Sequence, residues 1–286
     1  MPTKIEKDAV TGTMTTGHEW DGIRELNTPL PKWWLWVFYA CVVWSFGYYV
    51  FYPSLPGVGG LLGWSQRGEL EERIAAERAR VKPMLDRIRA TPVAEIRRQP
   101  DLAAFAVAGG RAAFADNCAP CHGAGGAGAK GGFPSLADDE WIWGGDVDAI
   151  GRTIAVGIRS AHPDTRQSQM PRFGLDGLLT PVQIADTAEY VLSLSGRSTV
   201  PAAAERGRAV YAEQCVACHG EGGRGNLELG APSLADQIWL YGGDKAAIER
   251  SIQTARGGVM PAWGGRLDET TIRMLTLYVH QLGGGR

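Results

Sequence analysis

Two cysteine–histidine phrases carry the chemistry of this chain: CAPCH, from Cys118 to His122, and CVACH, from Cys215 to His219. Two cysteines three apart on a turn of helix, Cys118 with Cys121 or Cys215 with Cys218, can each close a thioether on a vinyl group of a haem. The next residue, His122 or His219, then offers its imidazole to the iron from the same side. The fifth cysteine, Cys41, stands alone in an apolar run. A four-cysteine zinc site brings its pairs within roughly 12–20 residues of each other and would leave the repeated histidine unexplained. A thioredoxin-like redox pair needs a βαβ setting, which the sequence lacks. The motifs therefore point to two covalently held c-type haems.

The second axial ligand decides what such haems do, because a five-coordinate iron is open to substrate and a six-coordinate one is an electron carrier. Met170 and Met260 are each followed by proline and stand at matching places beyond the two motifs. A thioether is a soft ligand that raises haem potential and tolerates both oxidation states of iron. Sequence order pairs Met170 with His122 on the first iron and Met260 with His219 on the second. Met84 and Met274 have no counterpart in the other copy. His162 and His280 each occur once and suit surface or packing roles.

The elements that must position these residues are themselves duplicated. RAAFADNCAPCHG returns as RAVYAEQCVACHG, FPSLADDEWIWGGD as APSLADQIWLYGGD, and MPRFG as MPAWG. Two copies make a duplication, short of the three repeats that a solenoid needs. Each copy opens on a helix that runs into the cysteines. Each closes on a helix with apolar residues at helical spacing: Ile184, Ala188 and Val191 in one, Ile272, Leu275, Val279 and Leu282 in the other. Gly-rich loop lies between, so a porphyrin is needed to fill the core. Trp143 and Tyr241 hold equivalent places before GGD, suited either to a haem edge or to plain core packing.

Upstream, the run from Trp33 to Tyr52 carries no charge and as a helix rises about 30 Å, the thickness of bilayer hydrocarbon. Tryptophans 33, 34 and 36 crowd one end and tyrosines 48, 49 and 52 the other, as at membrane interfaces. Lys4, Lys7, Arg24 and Lys32 precede it and Arg67 is the first cation after it, which orients the N-terminus to the cytoplasm. The organisation expected is a cytoplasmic tail (1–32), a transmembrane anchor (33–52), a periplasmic connecting segment (53–101) and two haem domains (102–198 and 199–286). The connecting segment reads as a solvated helix broken near Pro83 and Pro92, with membrane lipid as a weaker partner. A net charge of −2 points to no nucleic acid.

Each copy resembles class I cytochromes c, and the whole chain resembles the diheme P subunit, FixP, of cbb₃-type cytochrome c oxidases. The tail HEWDGIRELNTPLPKWW, from His18 to Trp34, and the two PSLAD–GG stretches carry the second resemblance. It implies an all-α fold with an N-terminal transmembrane helix followed by two tandem class I cytochrome c domains. It implies that the carbonyls of Pro134 and Pro232 accept from the haem histidines. It further implies electrons taken from a cytochrome bc complex or a soluble cytochrome c. They would pass by way of a monohaem cytochrome c subunit to the haem–copper subunit that reduces oxygen. On that reading the chain is a carrier within an inner-membrane enzyme and not the catalyst. A freestanding diheme shuttle, a diheme peroxidase and a haem-based sensor are the rivals. From Leu102 onward acidic residues outnumber basic ones, 19 to 16, which suits docking of a basic donor.

Overall fold

The computed structural model describes residues 4–283 except 55, 58 and 130, so the ends of the expected tail and second haem domain lie outside the described residues. The chain divides after Arg80 into two compact units.

In the first unit the tail is more ordered than a polar tail requires. Strands β1 (Thr15–Trp20) and β2 (Ile23–Leu26) pair antiparallel. Asp21 and Gly22 form the turn, both at positive φ (50° and 84°), the Asp-Gly choice that matches strand twist. Arg24 ties the hairpin together through Glu19 and Glu6. The all-α expectation thus needs this one amendment. Pro31 precedes α1 (Lys32–Phe51), in which no residue is buried. It is one helix long and apolar enough to cross a membrane. Helix α2 (Gln66–Ala90) runs through Pro83 without ending, against expectation. Its solvent-facing ladder tolerates the missing N–H, and Arg73–Glu69 and Lys82–Asp86 pairs flank the site. Pro92 does end it, preceding α3 (Val93–Ile96).

The second unit holds the end of α2 from Val81, α3, α4 (Pro100–Asn117), α5 (Ala119–His122), α6 (Val147–Val156), α7 (Pro181–Leu194), α8 (Pro201–Gln214), α9 (Val216–His219), α10 (Lys245–Thr254) and α11 (Glu269–Leu282). The repeated GGD explains two of these starts: Asp146 caps α6 and Asp244 caps α10 through their first backbone amides. Thr180 and Gln183 form a capping box on α7, and Asp268 caps α11.

The helices pair across the copies. Opening helix α4 packs on α11, the closing helix of the second copy, and opening helix α8 packs on α7, the closing helix of the first. Equivalent glycines mark the two crossings. A Cβ on Gly110 would enter the carbonyl of Met274 in α11, and one on Gly207 would enter that of Asp186 in α7. Equivalent rings follow suit, Phe114 against Tyr278 at 5.2 Å and Tyr211 against Tyr190 at 4.9 Å.

Chain connectivity supplies the physical reason. Only residues 195–200 separate α7 from α8, so the nearest opening helix for α7 is α8, and closing a short loop costs little entropy. Arg206 clamps Asp186 through two bonds of 2.8 and 2.7 Å, and Ser198 bonds Glu189. Helices α4 and α11 are then left for each other. The end of α2 and α3 brace that pair, with Ile88 and Ile96 fully buried beside Leu102, Ala106, Met274 and Leu277. Arg273 of α11 reaches the carbonyl of Thr91 at 2.8 Å.

Candidate haem sites

Each motif sits where an opening helix breaks into a single further turn. The amides of Cys121 and His122 bond back to Cys118, and those of Cys218 and His219 to Cys215. Gly123 and Gly220 end the turns at φ 76° and 70°, which reverses the chain under the imidazole. Tyr211 donates its hydroxyl to the carbonyl of Gly220 at 2.9 Å, and burial pushes its own pKa up to about 12.

The histidine–proline relation implied by the class I resemblance is present in the geometry. His122 Nδ1 lies 3.0 Å from the carbonyl oxygen of Pro134, and His219 Nδ1 lies 2.9 Å from that of Pro232. A carbonyl only accepts, so each Nδ1 carries the proton and each Nε2 keeps its lone pair for a metal. Burial holds His219 below its usual range, which keeps that imidazole neutral. The proline loops are pressed in by close backbone approach. A Cβ on Gly128 would strike Ser135 N and Pro134 C, and one on Gly225 would strike Ser233 N and Pro232 C.

The methionines stand opposite to their order in sequence. Met260 packs in the core that holds Cys118, Phe114 and Ile154, whereas Met170 packs in the core that holds Cys215, Tyr211 and Ile252. The pairing of Met170 with His122 and of Met260 with His219, read from chain order, is therefore not the one that the fold brings together. The exchange begins just after α6, where the departing chain meets the arriving Met260. Among the rival ligands, His280 lies 3.4 Å from Arg97, and His162 accepts from the amide of Asp164.

The residues fit a haem at each motif. Cys118 and Cys215 belong to separate cores, so the two pairs do not converge on one ion. Burial raises both thiols to about 11, each with its neighbouring cysteine adding to the rise. The indole N–H groups of Trp141 and Trp239 are buried without a hydrogen-bond partner among the described residues. Such donors are costly to bury unmet, and the carboxylates of a haem would meet them. Sequence reasoning singled out Trp143 and Tyr241 from the same stretch and passed over these two tryptophans. Their identity in both copies was the signal that could have found them. It also passed over Gly110 and Gly207, whose equivalence marks the helix crossings.

Comparison with known proteins agrees with this architecture segment by segment. Residues 12–59 match the family described as the N-terminal domain of cytochrome oxidase-cbb3, FixP. Residues 107–195 match cytochrome c, and residues 202–279 match cytochrome c oxidase, cbb3-type, subunit III. The chain is 55% identical over 292 residues to the cbb3-type cytochrome c oxidase subunit CcoP of Azospirillum brasilense, covering 98% of this chain and 99% of that protein. It is 51% identical over 287 residues to subunit FixP of Bradyrhizobium diazoefficiens, covering 98% of each. Subunit FixP of Rhizobium meliloti is 48% identical over 284 residues and 97% of each chain.

Proposed function

Because the chain belongs to the FixP/CcoP family of cbb3-type cytochrome c oxidase subunits, we propose that it is the electron-input subunit of such an oxidase, carrying two covalent c-type haems. Electrons enter from a cytochrome bc complex or a soluble cytochrome c. They leave through a monohaem cytochrome c subunit towards the haem–copper centre. The chain itself catalyses no bond change. The paired His–Pro contacts, each set beside a methionine-bearing core, are the observation that carries this reading.

When bound, c-type haem supplies a reversible one-electron couple. Cys118 with Cys121 and Cys215 with Cys218 tether it. His122 and His219 would hold the iron through Nε2, kept in the required tautomer by the carbonyls of Pro134 and Pro232. Met260, which shares a core with Cys118, would hold the first haem together with His122, and Met170, which shares a core with Cys215, would hold the second together with His219. A methionine in each core supports an electron carrier over a peroxidase. Each copy, on this reading, lends its methionine loop and closing helix to the lobe opened by the other.

Helix α1 anchors the chain, with its N-terminus in the cytoplasm and the haem lobes in the periplasm. The segment matched to the FixP N-terminal domain, residues 12–59, includes the hairpin and α1, and it supports an oxidase subunit over a freestanding shuttle. Purification in mild detergent tests the proposal. The chain should carry two c-type haems and bring along copper and b-type haem. A chain that purifies alone from a strain expressing the oxidase would refute the assignment to the complex.

A further inference from the structure

Between Lys32 and Arg67 the chain carries no charged residue, although α1 ends at Phe51. The uncharged stretch therefore outruns the helix by a whole loop. That loop comes back to the end of α1 instead of leaving it. The amide of Leu61 donates to the carbonyl of Val50 at 3.0 Å, and that of Leu62 to the carbonyl of Phe51 at 3.2 Å. Gly60 makes the return possible, since a Cβ there would strike the carbonyl of Phe51. The amide of Gly63 then bonds back to Gly60 at 3.0 Å and closes a tight turn.

The return solves a problem common to helix ends. The last four carbonyls of an α-helix lack partners within it, and in solution water supplies them. In α1 all four are met by the chain. Tyr48 accepts from the amide of Tyr52 at 2.9 Å, and Tyr49 from the hydroxyl of Ser54 at 3.4 Å. Val50 and Phe51 accept from the two leucine amides. A helix end satisfied in this way needs no water, which is the condition for resting at the hydrocarbon boundary of a bilayer.

The side chains of the turn suit the same boundary. Leu61 is 77% exposed and Leu62 57%, beside the equally open Val50 and Phe51. Trp64 follows, its ring edge-on to Tyr52 at 5.7 Å, and Tyr52 stacks in turn on Tyr48 at 4.6 Å. The indole N–H of Trp64 donates to Glu69 at 2.9 Å, which ties its polar tip to the start of α2. A tryptophan with its ring in an aromatic belt and its N–H on a carboxylate is amphipathic in the way that bilayer surfaces favour. Ser65 Oγ then accepts from the amide of Gly68 at 2.9 Å, and charge resumes at Arg67.

We propose that residues 60–64 form a second contact with the membrane. Leu61 and Leu62 enter the acyl-chain boundary of the leaflet from which α1 emerges, and Trp64 sits among its headgroups. The partner is lipid, and continuity with α1 argues for it. The leucine amides fix the turn at the depth of Val50 and Phe51, the last residues of the apolar span. The contact sets the height at which α2 leaves the bilayer. The proposal rests on the reading of α1 as a membrane anchor.

The test is the collision accessibility of nitroxide spin labels on the full haem-loaded chain in phospholipid nanodiscs. Leu61→Cys and Leu62→Cys are labelled one at a time in a chain with Cys41 changed to alanine, the motif cysteines being held in thioethers. Val43→Cys, in the middle of α1, and Val10→Cys, in the tail before β1, calibrate lipid and water. Oxygen concentrates in lipid, and a nickel chelate stays in water. Labels at both leucines should match Val43, with high oxygen and low nickel relaxation. High nickel relaxation at either site, as at Val10, would overturn the proposal by placing the turn in water. Low relaxation by both agents would overturn it by placing the turn against protein. A Val43 label open to nickel would instead refute the anchor itself, and the proposal with it.

Discussion

Ile158 and Met260 exchange both of their amide hydrogen bonds, each at 3.0 Å, although a hundred residues of chain separate them. The pair stands where the chain leaving α6 crosses the chain arriving at the second methionine. Gly157 lies so close under this crossing that a Cβ there would enter the carbonyl of Met260. The crossing seats Met260 in the lobe of His122, and from it follows a direct test of ligand exchange.

In a chain with Cys118 and Cys121 both changed to alanine, only the haem at the Cys215–His219 motif should be attached. Met170→Leu should then abolish the sulfur–iron charge-transfer band of that haem and lower its potential. Met260→Leu should leave both unchanged. The reverse outcome would restore the pairing by chain order and defeat the exchange.

Gly110 and Gly207 set how closely the opening helices approach their exchanged partners. Gly207→Ala pushes a methyl group into the Asp186 carbonyl and should cost about 1–3 kcal/mol, the usual range for overpacking. Gly110→Ala should act alike on the α4–α11 pair. Thermal unfolding of the haem-loaded chain measures both, and an unchanged midpoint would mean that the helices can part without loss.

Glu189 of α7 is buried and accepts from Lys245 of α10 at 2.9 Å and from Ser198 at 2.7 Å. These bonds hold its pKa down at about 2, with the Lys245 bond the largest cause. A depressed carboxylate stabilises the fold above its unfolded pKa, roughly 4.3, and that contribution fades as pH falls towards 2. Glu189→Gln should therefore destabilise by about 1–3 kcal/mol at neutral pH. The gap from the unaltered chain should close on acidification below pH 4, and a gap constant down to pH 2 would contradict the ion-pair account.

The hydrogen bond from His219 to Pro232 makes the imidazole a better donor to iron and so favours the ferric state. Gly225→Ala displaces the proline loop, because its Cβ would meet Ser233 N at 2.7 Å. The midpoint of that haem should rise, and redox titration would show no rise if the loop merely packs.

Local chemistry made much of this protein legible without coordinates. The attachment cysteines, the histidines and their prolines lie within a dozen or so residues of each other, so short-range geometry brings them together. The uncharged run became α1, and the GGD repeats became helix caps, because periodicity and capping are properties of single segments. Pro83 was misleading for the same reason: propensity marks it as a breaker, while a long solvated helix absorbs one missing bond.

What the sequence by itself determined is the inventory: two C-x-x-C-H motifs, two matched methionines, one apolar span and a duplicated helical frame. Only the tertiary structure decided which core each thioether joins. In a tandem repeat the two copies offer nearly identical packing surfaces, so no residue pattern states which closing helix serves which opening helix. Connection length breaks the tie. Residues 195–200 are too few to carry α8 away from α7, the nearest partner is taken, and the methionine that precedes each closing helix goes with it.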